Sequence, residues 1–345
     1  MMNSVSTTSL FAVPRNAVVD VQKQLSDAET ELTTGFLADP VESLGSQIGL
    51  DQSLQAQSAI LSNFQTTNSI AQSTLTTTQN ALTSISSDAQ NFVNALLTAQ
   101  SSGDIGTLQT QAQSYLTSLT SLLNTTVDGS YIFGGINNSV QPVTDDSQPA
   151  QAATNAAFQT AFGVSPSSSP ANSITASAMQ SFLTGAFANL FTGSNWSSNW
   201  SQASSTPMTA LISPGQTVTA SASANDSAFQ QLVSAYVSVA DLGIGNLNSS
   251  TQLAVLSNAQ NLASSAMAGI TNIQSTLGLS QSQITNVNGQ MQTQASFIDN
   301  WVGQLQGVDA YQAATNLSDL TTQLETAYSL TDRISKLSLV NYLAT

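Results

Sequence analysis

The sequence predicts a mainly α protein, an elongated rod of long coiled-coil or bundle helices from both chain ends, with an irregular, partly β domain inserted between them. Apolar residues recur at alternating three- and four-residue spacings over long stretches towards both ends of the 345-residue chain. This spacing is typical of helices that pack along a seam. Residues 140–228, by contrast, hold six of the eight prolines and show no sustained period, so we expect irregular structure there.

The first predicted helix lies close to the N-terminus and ends at a glycine. Its apolar positions are Val18, Val21, Leu25, Ala28 and Leu32. Gly35 breaks the pattern, and the following Asp39-Pro40 predicts a second start, because Asp is a favourable N-cap and Pro suits the first helical position. Glu42 would complete a capping box with Asp39.

Two further helices and a turn are predicted before the insert. The next seam runs from Leu61 to Ala99 and is interrupted by residues 102–106. A helix follows over residues 108–122, and the short connection predicts that it folds back on the helix before it. Residues 128–135 then predict a short strand or hairpin, because β-forming residues stand between turn residues.

Helical spacing returns after the insert and continues to the C-terminus. One helix carries Phe229, Leu232, Val233 and Tyr236. Ser249 with Gln252 predicts the capped start of the longest helix, whose seam covers residues 256–305. A break at Gly307 precedes the last helix, which we expect Asp309 to cap. Its apolar positions include Leu317, Leu320, Leu324 and Ile334.

Polar and aromatic residues at special positions each allow two interpretations. The polar seam residues are Asn68, Gln260, Gln274, Gln281 and Asn288. Buried polar groups fix the register of a coiled coil at a cost in stability, but a wide and partly wet seam would contain the same residues. In the insert, Trp196 and Trp200 favour a small aromatic core over a sugar-binding platform.

Composition argues against several classes of function. The net charge is −15 and only Arg15, Lys23, Arg333 and Lys336 are basic, which argues against nucleic acid and anionic lipid as partners. The chain contains no histidine and no cysteine, so the commonest general bases, thiol nucleophiles and transition-metal ligands are missing. We expect no enzyme activity, no catalytic, cofactor-binding or metal site, and no membrane insertion, since no apolar run is long enough.

Three stretches carry motifs that occur together in one group of proteins. Residues 25–35 with Asp39-Pro40 are similar to an N-terminal Leu…Thr-Gly…Asp-Pro stretch, and residues 129–135 to a Gly-x-Tyr-(Leu/Ile)-Phe-(Ala/Gly)-Gly run. The matching parts of the last helix are residues 314–317, 323–328 and 337–343. These motifs resemble the flagellin superfamily and, within it, the hook-associated protein 3 family of hook–filament junction proteins.

The resemblance implies a flagellin-like rod and a structural subunit of the bacterial flagellum. This subunit would form a homo-oligomeric adaptor ring that joins the hook, through hook-associated protein 1, to the flagellin filament. The resemblance also implies a flagellar export chaperone and type III export without a cleaved signal peptide. We therefore expect an extracellular protein, although the lack of a secretory signal would alone predict a cytoplasmic one.

Two alternatives stay open, namely flagellin itself, the filament subunit, and a secreted coiled-coil adhesin. The junction interpretation further implies terminal helices that are disordered in the free monomer and become ordered on assembly. If these end helices run antiparallel, Lys23 and Arg333 would lie near each other, with Asp20 and Asp27 as acidic partners.

Periodicity and resemblance together predict five segments and two groups of functional residues. The segments are 1–38, the N-terminal helix of the terminal (inner) domain; 39–139, the N-terminal half of the rod; 140–228, the inserted outer domain; 229–306, the C-terminal half of the rod; and 307–345, the C-terminal helix of the terminal domain. The predicted assembly interface on the terminal helices is Val21, Leu25, Ala28, Leu32, Leu317, Leu320, Leu324, Ile334 and Leu337. The family-motif turn is Gly129, Tyr131, Phe133, Gly134 and Gly135.

Overall fold

The computed structural model describes the backbone of residues 7–144 and 148–343, and the surroundings of the side chains of residues 15–144 and 150–333. The fold is 77% helical, which confirms the mainly α prediction. Its strands form two antiparallel two-stranded sheets within these ranges. No helix in the described part of the chain has the length and apolar character needed to cross a membrane.

The chain divides into two compact units, which are described separately. The first comprises the described residues up to Asn63 and from Gln290 onward, and the second comprises Phe64–Gly289. Two long helices, α3 (Ile48–Ser102) and α9 (Ser249–Gln306), contribute one end to each unit. The five predicted segments follow the helix breaks instead of these units, and that division stays a prediction.

The first unit contains the terminal helices α1 (Thr7–Thr34) and α10 (Ala310–Leu343), which pack against each other. Between α1 and α3 lies the short helix α2 (Pro40–Leu44). Asp39 caps α2 as predicted, because its Oδ1 accepts a hydrogen bond from Glu42 N at 3.0 Å. Asp309 caps α10 in the same way. Its Oδ1 accepts a hydrogen bond at 3.1 Å from the backbone nitrogen of Gln312, three residues further along the chain.

In the second unit α3 and α9 form an antiparallel pair. Gln79 Nε2 donates a hydrogen bond to Gln274 O at 2.7 Å, and Gln281 Nε2 donates one to Thr76 Oγ1 at 3.3 Å. Residue numbers that fall along α3 pair with residue numbers that rise along α9, so the two helices run in opposite directions. The polar seam side chains of α9 therefore reach across to α3.

Helix α4 (Ile105–Leu123) folds back on α3 as predicted. Ser118 Oγ donates a hydrogen bond to Asp88 Oδ2 at 2.7 Å. Nearby, Phe92 meets the ring of Tyr236 edge-to-face at a centroid distance of 4.8 Å. Tyr236 lies on α8 (Ser227–Ala240), whose buried face closes this core. Full burial of such side chains contributes about 1.5–3 kcal/mol each.

A two-residue hairpin follows α4 at the predicted place. Strands β1 (Thr126–Val127) and β2 (Ser130–Tyr131) pair in antiparallel register. Asp128 and Gly129 between them have φ values of 51° and 77°. Two successive positive φ values are typical of the type I′ turn, whose twist matches that of the flanking strands.

The insert contains a hairpin, as the partly β prediction requires, together with three short helices that the sequence did not predict. The elements are α5 (Gln148–Phe162), α6 (Ala176–Phe182), α7 (Gly193–Asn199), β3 (Thr209–Ser213) and β4 (Gln216–Thr219). Helices α6 and α7 have seven residues each, too few to show a sustained period, and the 15-residue α5 is rich in Ala with few larger apolar side chains. They surround an aromatic core in which Trp196 and Trp200 stack at a centroid distance of 6.0 Å. Both indoles are buried, which confirms the core interpretation and excludes the exposed platform.

One predicted cap is wrong by a single residue. Asn248, not Ser249, caps α9, because its Oδ1 accepts a hydrogen bond from Thr251 N at 3.0 Å. The Asn248 amide also donates to Ile174 O at 2.8 Å, so the cap doubles as a contact to the insert. Gln252 Nε2 donates to Leu247 O at 3.0 Å, whereas a capping box would have joined it to Ser249.

Candidate assembly surfaces and the motif turn

The terminal helices α1 and α10 run antiparallel. Gln22 Nε2 on α1 donates a hydrogen bond to Tyr328 Oη on α10 at 2.7 Å. At the other end of the pair, Val308 N donates to Gly35 O at 2.9 Å. Residue numbers that fall along α1 therefore meet residue numbers that rise along α10, so the N-terminal part of α1 lies beside the C-terminal part of α10.

The predicted interface residues differ in how much of their surface is buried within a single chain. Ala28 is only 5% exposed. Partly buried members are Val21, Leu25, Leu317, Leu320 and Leu324. Leu32 is 39% exposed, and the side chains of Ile334 and Leu337 lie outside the described residues. The pair thus buries the centre of its apolar seam and leaves the flanks open.

The electrostatic contacts of Lys23 differ from the prediction. Lys23 Nζ lies 3.9 Å from Glu42 Oε2, and both side chains are largely exposed. The antiparallel register sets Lys23 opposite about residue 326, so Arg333 is roughly 10 Å further along α10. The expected approach of Lys23 to Arg333 is therefore wrong, and Lys23 lies beside Glu42 instead.

An apolar groove on the first unit was missed by the sequence analysis. Its walls are Leu54, Phe297, Ile298 and Trp301, and it encloses about 230 Å³. Phe297 is 65% exposed and Trp301 is 54% exposed. Both aromatic residues lie outside the apolar three-four seam of α9. Their four-residue spacing places them on one face of the helix, and this was the sequence signal for a second apolar face.

The motif turn is held on both sides by backbone contacts in the second unit. Tyr131 N donates a hydrogen bond to Asn138 O at 2.8 Å, and Ala224 N donates one to Phe133 O at 2.8 Å. Phe133 is fully buried and meets Phe229 edge-to-face at 5.7 Å. The motif therefore joins the hairpin after α4 to the segment that leads into α8.

The glycines of this motif are required by close contacts and by backbone conformation. Gly129 has a positive φ in the hairpin turn. A Cβ at Gly134 would lie 2.8 Å from Asn137 O. Gly135 combines a φ of 59° with a site where a Cβ would clash with Ser204 O. We conclude that the motif residues serve packing at the base of the insert.

The described residues contain no group of three or more side chains that could ligate a metal ion, and a few of their titratable groups have shifted pKa values. Burial raises the pKa of Tyr236 and of Tyr115, and the nearby Asp88 carboxylate raises both further. Burial likewise raises the pKa of Asp241, against a hydrogen bond from Gln151 that lowers it.

Comparison with known families agrees with this architecture. A sequence model described as the bacterial flagellin N-terminal helical region matches residues 5–138, and one described as the bacterial flagellin C-terminal helical region matches residues 250–343. Together they cover about two thirds of the chain and leave out the insert. The chain belongs to the flagellin superfamily. It is thus a flagellin-family structural protein of the bacterial flagellum.

Solved structures share the fold of this flagellin-family chain. A protein described as a flagellar hook-associated protein of Vibrio parahaemolyticus aligns with a TM-score of 0.55 and 12% identity, over 76% of this chain and 99% of that one. FlgL of Bacillus cereus aligns with a TM-score of 0.51 and 13% identity, over 73% and 99%. No curated protein matches the sequence significantly.

Proposed function

We propose that this flagellin-family chain is a subunit of the hook–filament junction. In this role it forms an adaptor ring that joins the hook, through hook-associated protein 1, to the first flagellin subunits of the filament. The observation that carries the proposal is the antiparallel terminal pair, in which one chain covers Ala28 but leaves Leu32 exposed. Apolar seam residues that one chain leaves exposed favour burial against neighbouring copies.

The choice of junction over filament rests on the motif turn. Residues 129–135 are similar to the run of the hook-associated protein 3 family, and one structural neighbour carries the description of a hook-associated protein. Within this proposal the predicted interface residues of α1 and α10 contact neighbouring subunits. The protein is exported without a cleaved signal peptide and is escorted by an export chaperone.

Flagellin itself remains the second candidate, because both matching sequence models are described as regions of bacterial flagellin. Quantification of the chain in sheared flagella separates the two roles. A junction subunit is expected as a trace component, with immunogold labelling confined to the base of the filament. A dominant band with label along the whole filament would contradict the junction role and identify the filament subunit.

Disorder of the terminal helices before assembly is a separate part of the proposal. Trypsin has no site between Lys23 and Arg333, because the chain has no basic residue there. Digestion of the purified monomer is expected to leave a core of residues 24–333. An uncut chain under conditions that digest an unfolded control would contradict disordered ends. The energy cost of ordering them would delay polymerisation until a neighbour is present.

A further inference from the structure

The second unit contains a cleft whose walls come from α4, the motif hairpin, the insert and the end of α8. It encloses about 620 Å³, a volume within the range of small-molecule binding sites. Its floor is one face of residues 113–124, which span about 16 Å at about 1.5 Å per residue. The side chains that matter on the other walls are Tyr131, Gln141, Gln151, Trp200 and Asp241.

Helices α4 and α8 run antiparallel beside this cleft. Tyr115 on α4 stacks on Tyr236 of α8 at a centroid distance of 5.9 Å, and Gly245, beyond the end of α8, lies close to the side chain of Gln109. Residue numbers that rise along α8 therefore meet residue numbers that fall along α4. Asp241 consequently lies towards the residue 113 end of the floor, and the hairpin that follows α4 lies towards the residue 124 end.

Asp241 brings a carboxylate to the cleft in an unfavourable position. It stands at the C-terminal end of α8, where its backbone nitrogen donates to Val237 O at 2.9 Å, and the helix dipole disfavours negative charge there. The residue is half-buried, and burial raises the pKa of its carboxyl group. Gln151 Nε2 donates to Oδ1 at 3.2 Å, but the second unit contains no basic residue that would neutralise the charge.

Several polar side chains of the cleft use their donors within the chain. Thr117 Oγ1 and Thr120 Oγ1 each donate to the carbonyl four residues earlier at 3.0 Å, and Gln141 Nε2 donates to Val143 O at 3.0 Å. Oε1 of Gln141 and Oδ2 of Asp241 accept no hydrogen bond from the described residues. These groups therefore present acceptor oxygens to a ligand, which suits one with N–H donors.

The end of the cleft away from Asp241 is aromatic. Tyr131 and Trp200 line it, and Leu116 contributes apolar surface to the floor between the two ends. An aromatic ring attracts an ammonium group that lies within about 6 Å of its face. The cleft thus has a carboxylate at one end, an apolar stretch, and aromatic and acceptor groups at the other end.

We propose that this cleft is a binding site for a linear alkyl diamine or polyamine. One ammonium group pairs with the Asp241 carboxylate, the methylene chain lies over Leu116, and a second ammonium group lies near Tyr131 and Gln141 Oε1. An anion would find no basic residue in the second unit, and a neutral sugar would leave Asp241 without a counter-charge. A carboxylate kept half-buried against burial and helix dipole is typical of a functional site. The inference is independent of the junction role.

Isothermal titration calorimetry of the purified full-length chain with spermidine tests this proposal. The titration is run near pH 7 in about 0.15 M salt, which screens general attraction of a polycation to a chain of net charge −15. We expect saturable binding with one site per chain. The neutral comparator 1,8-octanediol has a similar length without the ammonium groups, and it should bind at least about tenfold more weakly.

Two pairs of variants locate the site. Asp241→Asn keeps the shape of the side chain and should weaken spermidine binding about tenfold or more. Asp128→Asn removes the same charge at an exposed position of the hairpin turn outside the cleft, where Asn tolerates the φ of 51°, and should bind like the wild type. Thr120→Val removes one acceptor and should weaken binding about threefold, whereas Thr110→Val, exposed on α4 outside the cleft, should not.

Each contrary outcome overturns a stated part of the proposal. Equal affinities of the wild type and Asp241→Asn would overturn the role of the carboxylate, and equal losses in Asp241→Asn and Asp128→Asn would show general charge attraction only. Octanediol that binds as tightly as spermidine would overturn the cationic ligand class. Heat signals that do not saturate up to about 10 mM spermidine, a concentration that corresponds to a Kd too weak for a specific site, would overturn the site itself.

Discussion

Gln22 and Tyr328 are 306 positions apart in sequence and share a 2.7 Å hydrogen bond. With the hydrogen bond from Val308 N to Gly35 O at the other end of the pair, this contact shows that the helices from the two chain ends run antiparallel. Ala28 lies about 1.7 turns further along α1 and is 5% exposed, so a small side chain allows close approach at the centre of the pair. The terminal pair is therefore a specific structural element of the chain.

Ala28→Glu is expected to open the terminal pair and abolish assembly in cells. It would bury a carboxylate where the pair offers no basic partner, at a cost of about 2 kcal/mol or more. Cells that express the variant should be non-motile although the protein is exported. Thr30→Glu is the matched control, because Thr30 is exposed on the same helix. Normal swimming of the Ala28→Glu strain would contradict this role of the pair.

Asn68→Ala is expected to destabilise the second unit. Asn68 is 1% exposed, and its Nδ2 donates to Asn288 Oδ1 at 2.7 Å and to Ile212 O at 3.0 Å. Loss of these bonds removes the donor to the buried Ile212 carbonyl and to the part-buried Asn288 amide oxygen, and should lower the free energy of unfolding by about 1–3 kcal/mol. Asn91→Ala, at an exposed position of α3, gains the same helix propensity without this loss. Equal denaturant midpoints for the two variants would refute the role of Asn68.

Gly135→Ala is expected to disrupt the motif turn. The substitution combines strain at a φ of 59° with a clash against Ser204 O, and Thr206 O would lie 2.6 Å from the new Cβ. We expect a loss of more than about 2 kcal/mol of stability. Gly106→Ala in α4 meets nothing within 4 Å and should instead stabilise by about 0.5–1 kcal/mol. Thermal unfolding compares the two, and a similar effect of both would show that the contacts at Gly135 are unimportant.

Asp241 gives stability a defined dependence on pH. Burial raises the pKa of Asp241 in the folded state above its ordinary value of 3.8. The contribution of Asp241 to the free energy of unfolding is therefore complete below pH 3.8 and is lost as the pH rises through the folded-state pKa. Asp241→Asn should remove this loss, and its melting temperature should exceed that of the wild type increasingly from pH 3.5 to 7. Hydrogen bonds from Thr107 lower the pKa of Asp104, which changes stability with pH in the opposite direction. Because Asp104 is present in both the wild type and the Asp241→Asn variant, it does not affect their difference. A constant difference across this range would contradict the assignment.

The sequence predicted the parts of the fold that local chemistry decides. Asp39 and Asp309 cap their helices as expected, because a carboxylate beside free backbone N–H groups needs no distant partner. Ser249 failed as a cap because Asn248 also bonds Ile174 O, a contact that only the folded insert supplies. The short helices around Trp196 were missed for the same reason, since their aromatic residues pack across the insert and not along one helix.

The candidate surfaces were predictable to a similar degree. Three-four spacing located the buried centre of the terminal pair at Ala28. Of the polar seam residues, Asn68 is buried and bonded to Asn288, whereas the four on α9 are partly exposed. The groove at Phe297 and Trp301 lies outside any seam, and its exposure depends on what the first unit leaves uncovered. Sequence periodicity cannot supply that information.

Electron microscopy of cells that lack the gene tests the central claim most directly. Loss of a hook–filament junction subunit is expected to leave complete hooks without filaments and flagellin released into the medium, and complementation with the full chain should restore filaments. Complementation with the Ala28→Glu variant should not. Filaments of normal number and length on the deletion strain would contradict the junction role.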